Sequence, residues 1–201
     1  MQYHYLAYMY RLRHIKRWSL MRNVTDENVA EHSYYVSLLT HTLCTIANEV
    51  FHKSVATEKA VCLALFHDAT EMITGDIPTP VKHHNPKLLS NFREIEAMAA
   101  ERLISMVPGD MRSIFSSHIL GHQEAPELYA YVKAADLLDA YIKCTSEISA
   151  GNREFTVAKV ETEQQLKALQ MEEVTYFMNH FAPSFEMTLD ELSKTATEDY
   201  S

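Results

Sequence analysis

Four glycines and six prolines are the only strong chain breakers among 201 residues. An all-β chain of this length would need a turn about every 8–12 residues, and these breakers are too few to supply them. No alternating run rich in Val, Ile or Thr competes, and there is no internal repeat or low-complexity segment. The chain is expected to be all-α, an irregular multi-helix bundle. Helices are predicted over 3–14, 27–51, 58–74, 85–107, a shorter stretch ending near 122, 126–150, 154–181 and the short "LDELSK". Thr25, Asp26 and Glu27 suit one helix N-terminus, and Thr57 suits the next. Asn85 with Pro86 reads as cap and first helical position. Gly75 and Gly151 read as helix ends.

With 47% hydrophobic residues the chain has material for a sizeable core, so residues 1–201 are expected to form one domain with a polar tail from about 194. The formal net charge of −9 argues against a nucleic-acid polymer as partner, though a few local cations suffice for one phosphate. The N-terminus "MQYHYLAYMYRLRHIKRW" lacks the apolar run of a signal peptide, and no stretch is long and apolar enough to span a membrane. Cys44, Cys62 and Cys144 are odd in number and form no CxxC pair. They read as buried free thiols, and the expected location is the cytoplasm.

The functional signal is polar residues on apolar helical faces. Helical spacing groups Asn28, Glu31, His32, Tyr35, Val36 and Leu39; then Ala60, Ala64, His67, Asp68 and Glu71; then Leu128, Val132, Ala135, Asp136, Asp139 and Ile142. Each inward His or Asp alone is most simply a structural group with a hydrogen-bond partner. Together, His32, His67, Asp68 and Asp136 would need four separate buried partners. One divalent cation satisfies all four. Two nitrogens with two oxygens suit Mn, Co, Fe, Ni or Zn better than Ca.

The order His32, then "HD" at 67–68, then Asp136 resembles the HD-domain metal-dependent phosphohydrolases. "RWSLMRNVTDENVAEHS" (17–33), "FHDATEMITGDIPTPVK" (66–82), "KAADLLDAYIKCTSEISAGNREF" (133–155) and "YFMNHFAPSFEMTLDEL" (176–192) are similar to the YfbR-type bacterial 5′-deoxynucleotidases. The similarity spans about residues 6–193; the linker at 52–56 and "HQEAPELYA" diverge. The resemblance implies a homodimer that hydrolyses deoxyribonucleoside 5′-monophosphates and discriminates against ribonucleotides. It implies one divalent transition metal ion, Co²⁺ or Mn²⁺ first and Cu²⁺, Ni²⁺ or Zn²⁺ as alternatives, on His32, His67, Asp68 and Asp136.

Glu71, one turn after the HD pair, is expected to do acid/base work or orient the attacking water; a solvated carboxylate or an internal salt bridge is the plainer reading. Arg17 suits bidentate phosphate binding. Beside Lys16 it would otherwise be a solvated surface arginine, and the resemblance assigns it to substrate. Asp76, Ile77, Pro78 and Thr79 form a loop that any "GDIP" turn would make, and the resemblance places it, with Asp68 and Asp136, at the sugar and phosphate. Asp76 joins Glu71 and Arg17 as a candidate catalytic residue. Trp18, the only tryptophan, is either a core anchor or a flat wall that leaves no room for a 2′-hydroxyl. Lys82 and Arg22 add positive field, while His83, His84, His118 and His122 read as solvated rather than as a second metal site. Two other classes compete: an HD hydrolase acting on triphosphates or cyclic nucleotides, which would need more cations or histidines, and a non-catalytic helical protein, which would be expected to lack a ligand or Glu71.

Overall fold

The computed structural model describes residues 2–82 and 84–198; the side chains of Thr79, Pro80 and 195–198 are outside the description. The helices are α1 (Tyr5–Met9), α2 (Val29–Thr45), α3 (Thr57–Phe66), α4 (Glu71–Thr74), α5 (Thr79–Lys82), α6 (Pro86–Ser105), α7 (Arg112–Ile119), α8 (Gly121–Glu124), α9 (Pro126–Ser149), α10 (Thr156–Ala168), α11 (Glu172–His180) and α12 (Leu189–Glu198). Short 3₁₀ turns join several of them, and α2 widens into a π turn at Ile46–Val50. Among the described residues the only β pairing is a single bridge between Lys16 and Asn28. No described helix is long and apolar enough to cross a membrane.

The main core joins α2, α3, α9, α10 and α11 through Val36, Leu43, Leu63, Leu138, Leu166 and Phe177. Burying each such side chain contributes roughly 1.5–3 kcal/mol before entropy is counted. A second cluster gathers Tyr5, Ala69, Ala100, Leu103, Val107 and Ile119. Ala64 belongs to the first cluster and Ala69 to the second, so the HD pair between them sits at the seam of two cores. Ala60 and Ala64 are fully buried, as the small-residue face of α3 predicted. Gly121 also permits a close approach: a Cβ there would come within 2.6 Å of Leu63 Cδ2.

Several boundaries differ from expectation. The 58–74 helix stops at Phe66: the Ala64 carbonyl accepts from His67 N at 3.3 Å and meets His67 Nδ1 at 2.7 Å, where an α-helix would offer it to the amide of residue 68. Residues 67–70 then follow tighter three-residue hydrogen bonds until α4. Thr57 is the first helical residue rather than the cap. α2 is capped by Asn28, with Glu31 completing a capping box, and not by Thr25–Glu27. The 154–181 helix divides at Gln170, whose φ is +53°. α12 continues past the predicted end of its helix to Glu198. Asn85 and Pro86 do open α6, and Gly75 and Gly151 close their helices at φ +73° and +87°. Cys44 and Cys144 are buried free thiols, but Cys62 is only half-buried, since its position on α3 turns from the core.

Candidate metal and phosphate site

Three elements deliver the proposed ligands. His32 lies within α2 and is 0% exposed. His67 and Asp68 occupy the turn after α3. His32 Nε2 stands 3.3 Å from His67 Nε2 and 3.4 Å from Asp68 Oδ2, and His67 Nε2 stands 3.2 Å from the same Oδ2. One atom from each of these three residues lies within 4.8 Å of the others. Asp136, on α9, approaches through His32: its Oδ1 is 3.1 Å from His32 Nε2. The expectation that Asp136 sits inside a core stripe is corrected here. Its side chain is 44% exposed, which leaves the centre open on the α9 side.

The donor set fits a divalent cation. His32 Nδ1 meets Asp139 Oδ2 at 2.7 Å, and His67 Nδ1 meets the Ala64 carbonyl at 2.7 Å. Both partners are acceptors, so both Nδ1 atoms carry the proton. The two Nε2 atoms then present lone pairs to each other and to carboxylate oxygens, with no proton to share. A positive charge at their common point resolves the conflict, and the outer partners fix both rings toward it. Without an ion, a proton must serve. Burial alone would lower the His32 pKa, yet hydrogen bonds to Asp136, Asp139 and Asp68 raise it well above the usual range. Burial would raise Asp68, but the charges and hydrogen bonds of His67 and His32 hold it well below the carboxylate range. Glu27, His32 and Asp139 form another close group. It lies on the Nδ1 side, where Asp139 is engaged with His32 and Glu27 with Arg17.

Arg17 is not a surface arginine. Its side chain is 11% exposed, and its Nε donates to Glu27 Oε1 at 2.6 Å, while Nη1 is 3.8 Å from Asp68 Oδ2. Lys16 instead points outward to Asp26. Burial would lower the Arg17 pKa, but Asp136, Glu27, Asp68 and Asp76 raise it further, so its charge is permanent. Glu71 is 6% exposed and its Oε2 is buried with no hydrogen-bond partner. Burial, then the charges of Asp68 and Asp76, push its pKa to about 9. Its burial excludes the solvated carboxylate of the plainer reading. Asp76 is half-buried after Gly75 and raised by burial, with Arg17 opposing. Ile77 and Pro78 are half-buried in the same loop. Thr79 opens α5, and its side chain lies outside those described, as does all of His83.

Trp18 has φ +54°, a left-handed conformation that costs a bulky side chain roughly 1–2 kcal/mol. Its ring packs 5.4 Å from that of the fully buried Phe155, and its indole N–H is buried without a partner. It therefore anchors against α9–α10 while sitting beside Arg17. Lys82 pairs with Glu96 at 3.2 Å, and Arg22 pairs with Glu154 at 2.6 Å. His118 stacks on Phe66, and His122 lies against Tyr129. Sequence reasoning missed the supports, Asp139 and Glu27. Asp139 shares the Asp136 stripe three residues on and could have been found there; Glu27 resembled a helix-end acid.

Comparison with known proteins agrees along the chain. A family model described as 5′-deoxynucleotidase YfbR-like matches residues 4–185. A 5′-deoxynucleotidase of Enterobacter sp. (strain 638) is 46% identical over 193 residues, 96% of this chain and 97% of that protein. The 5′-deoxynucleotidase YfbR of Escherichia coli is 45% identical over the same length, again 96% and 97%. Among solved structures, an HD-domain phosphohydrolase from Listeria innocua superposes with a TM-score of 0.80 at 24% identity, covering 96% of this chain and 95% of that one. The cyanophage S-2L HD phosphohydrolase DatZ, bound to dA and one catalytic Zn²⁺ ion, gives 0.64 at 23% identity, covering 90% and 96%. With the fold shared and a close relative at nearly half identity end to end, the chain belongs to the YfbR-like 5′-deoxynucleotidase family.

Proposed function

We propose that this chain is a metal-dependent 5′-deoxynucleotidase that converts deoxyribonucleoside 5′-monophosphates to deoxynucleoside and phosphate and discriminates against ribonucleotides. The observation that carries the reading is the meeting of His32 Nε2, His67 Nε2 and Asp68 Oδ2 beside a buried Arg17 and a buried Glu71. The named activity of the Enterobacter and E. coli relatives supports the reaction. The single zinc and the dA in DatZ support one metal and a deoxyribose product.

In this reading His32, His67, Asp68 and Asp136 hold one ion, Co²⁺ or Mn²⁺ before Cu²⁺, Ni²⁺ or Zn²⁺. A bound divalent ion supplies positive charge against the phosphate oxygens and the attacking water. Arg17, clamped through its Nε by Glu27 and with Nη1 3.8 Å from Asp68, presents its guanidinium to the phosphate. Protonated Glu71 can give its proton to the departing 5′-oxygen or hydrogen-bond the water, and a cation near Asp68 would weaken one cause of its raised pKa. Asp76, Ile77, Pro78 and Thr79 line the sugar, with Asp68 and Asp136 bordering the phosphate. Trp18 forms the wall against a 2′-hydroxyl. The enzyme acts as a homodimer in the cytoplasm, without nucleic-acid polymer or membrane as partner.

Phosphate release from dAMP, AMP, dATP and a cyclic dinucleotide, with and without EDTA and across a metal series, tests the reading. Release from dAMP well above that from AMP, with none from dATP or the cyclic dinucleotide and all of it abolished by EDTA, is expected. Release that persists in EDTA, or a preference for dATP, would overturn it. Rates for dGMP, dCMP, dUMP and TMP should be similar to that for dAMP.

A further inference from the structure

The geometry points to Glu147 as a positioning residue that holds the Arg17–Trp18 segment in its substrate-reading conformation. This rests on the nucleotidase reading, in which Arg17 and Trp18 touch substrate.

Glu147 lies near the end of α9, more than 120 residues from that segment in sequence, and is 2% exposed. Its carboxylate receives four hydrogen bonds. Val24 N and Asn152 Nδ2 donate to Oε2, each at 2.8 Å, while Thr25 N at 3.1 Å and Lys143 Nζ at 2.5 Å donate to Oε1. Lys143 also donates to the Thr25 carbonyl at 2.5 Å, and Asn152 to the Arg22 carbonyl at 2.7 Å. The backbone of 22–25 is thus tied to α9 and the following turn by side chains centred on one buried carboxylate.

That backbone is the return leg of the turn bearing Trp18. Trp18 holds a left-handed φ that no glycine relieves, so its surroundings must enforce it. Within the turn, Met21 N and Asn23 Nδ2 both donate to the Trp18 carbonyl, at 2.9 and 3.2 Å. Below it, the indole packs on Phe155, over whose ring Lys143 Nζ lies 5.6 Å from the centroid. The Glu147–Lys143 pair therefore touches both the chain that returns from Trp18 and the ring on which Trp18 rests. Replacing the carboxylate would free the turn to relax, carrying Trp18 away from the 2′ position and loosening Arg17 beside it.

Trp18 is the only tryptophan, so its fluorescence reports the segment directly. Glu147→Gln is compared with Glu173→Gln. Glu173 is a second buried glutamate, which accepts from Lys53 at 2.7 Å and Tyr131 at 3.0 Å on the α11 side. Both variants should melt below wild type. Only Glu147→Gln should raise acrylamide quenching of Trp18, by about twofold or more, as a locally opened segment would. Only it should lower the dAMP/AMP ratio of kcat/KM, by about tenfold, with KM for dAMP rising more than kcat falls. If Glu147→Gln does not fold, Asn152→Ala removes two of the ties and should shift both readouts in the same direction. An unchanged dAMP/AMP ratio in the folded variant, or equal shifts in Glu173→Gln, would overturn the positioning role. Absence of phosphate release from dAMP by the wild type would instead overturn the nucleotidase reading, and the quenching arm would still decide whether Glu147 fixes the segment.

Discussion

His32 and His67 reach the same point by different routes. His32 stands within a 17-residue helix, and a carboxylate from another helix, Asp139, orients its ring. His67 stands where a helix breaks, and a carbonyl three residues back in its own chain orients it. The helical half, α2 with α9, depends on side chains that can be exchanged. The turn half, 67–76, depends on backbone and holds three of the proposed functional carboxyl groups: Asp68, the buried Glu71 and Asp76. A support made of side chains can be weakened by one substitution, whereas a carbonyl support cannot.

The largest expected effect falls on the turn half. Glu71→Ala leaves the four proposed ligands in place, so metal should still bind while kcat falls by ~10²-fold or more, the scale of acid/base catalysis. Metal analysis alongside steady-state kinetics checks this; normal turnover would return Glu71 to a structural role. A second effect concerns the region behind the helical half. Hydrogen bonds hold Glu147 down at about 2, against the burial that would raise it. The sign follows: its contribution is full above its unfolded value near 4.5 and is lost as pH falls toward 2. It should amount to roughly 2–3 kcal/mol. Urea midpoints measured between pH 6 and 2.5 should show this loss in wild type and not in Glu147→Gln.

Asp139→Asn is the direct probe of the two supports. It keeps the shape beside His32 but weakens its orientation, and metal affinity should fall about 10–100-fold. No equivalent substitution exists for His67, since its partner is the Ala64 carbonyl. Metal titration reads the change, and unaltered affinity would mean that the helix alone fixes His32. The smallest change is one of selectivity. Trp18→Ala should keep measurable dAMP hydrolysis and gain relative activity on AMP by about ten- to a hundredfold, the scale of an excluded or unsatisfied hydroxyl. Parallel loss on both substrates together with thermal stability would make Trp18 only an anchor against Phe155.

The same division separates what sequence could reveal from what it could not. The long helices follow from apolar spacing, from Asn85–Pro86 and Pro126 as openings and from Gly151 as a close. His32, His67 and Asp68 were legible because a polar group on an apolar helical face demands a partner; Asp136 was picked from the same pattern although its side chain is 44% exposed. The break at 67–70 was not legible, because no glycine or proline marks it. The helix division at Gln170 likewise has no breaker. Glu27 and Asp26 looked like helix-end acids because their partners, Arg17 and Lys16, lie ten residues away across a bridge that no local pattern announces. Glu147 is harder still, since its carboxylate serves amides more than 120 residues back.

In the proposed mechanism, residues from both halves gather one metal ion on which hydrolysis depends. Asp136 tests it best, being far in sequence from the HD pair and joined to it through His32. Elemental analysis of purified wild type and Asp136→Ala, with circular dichroism and phosphate release from dAMP on the same samples, measures it. The expected result is one divalent ion per wild-type chain, and a variant that stays helical but loses ion and activity together. Full metal occupancy in a folded, inactive Asp136→Ala would contradict the four-ligand centre.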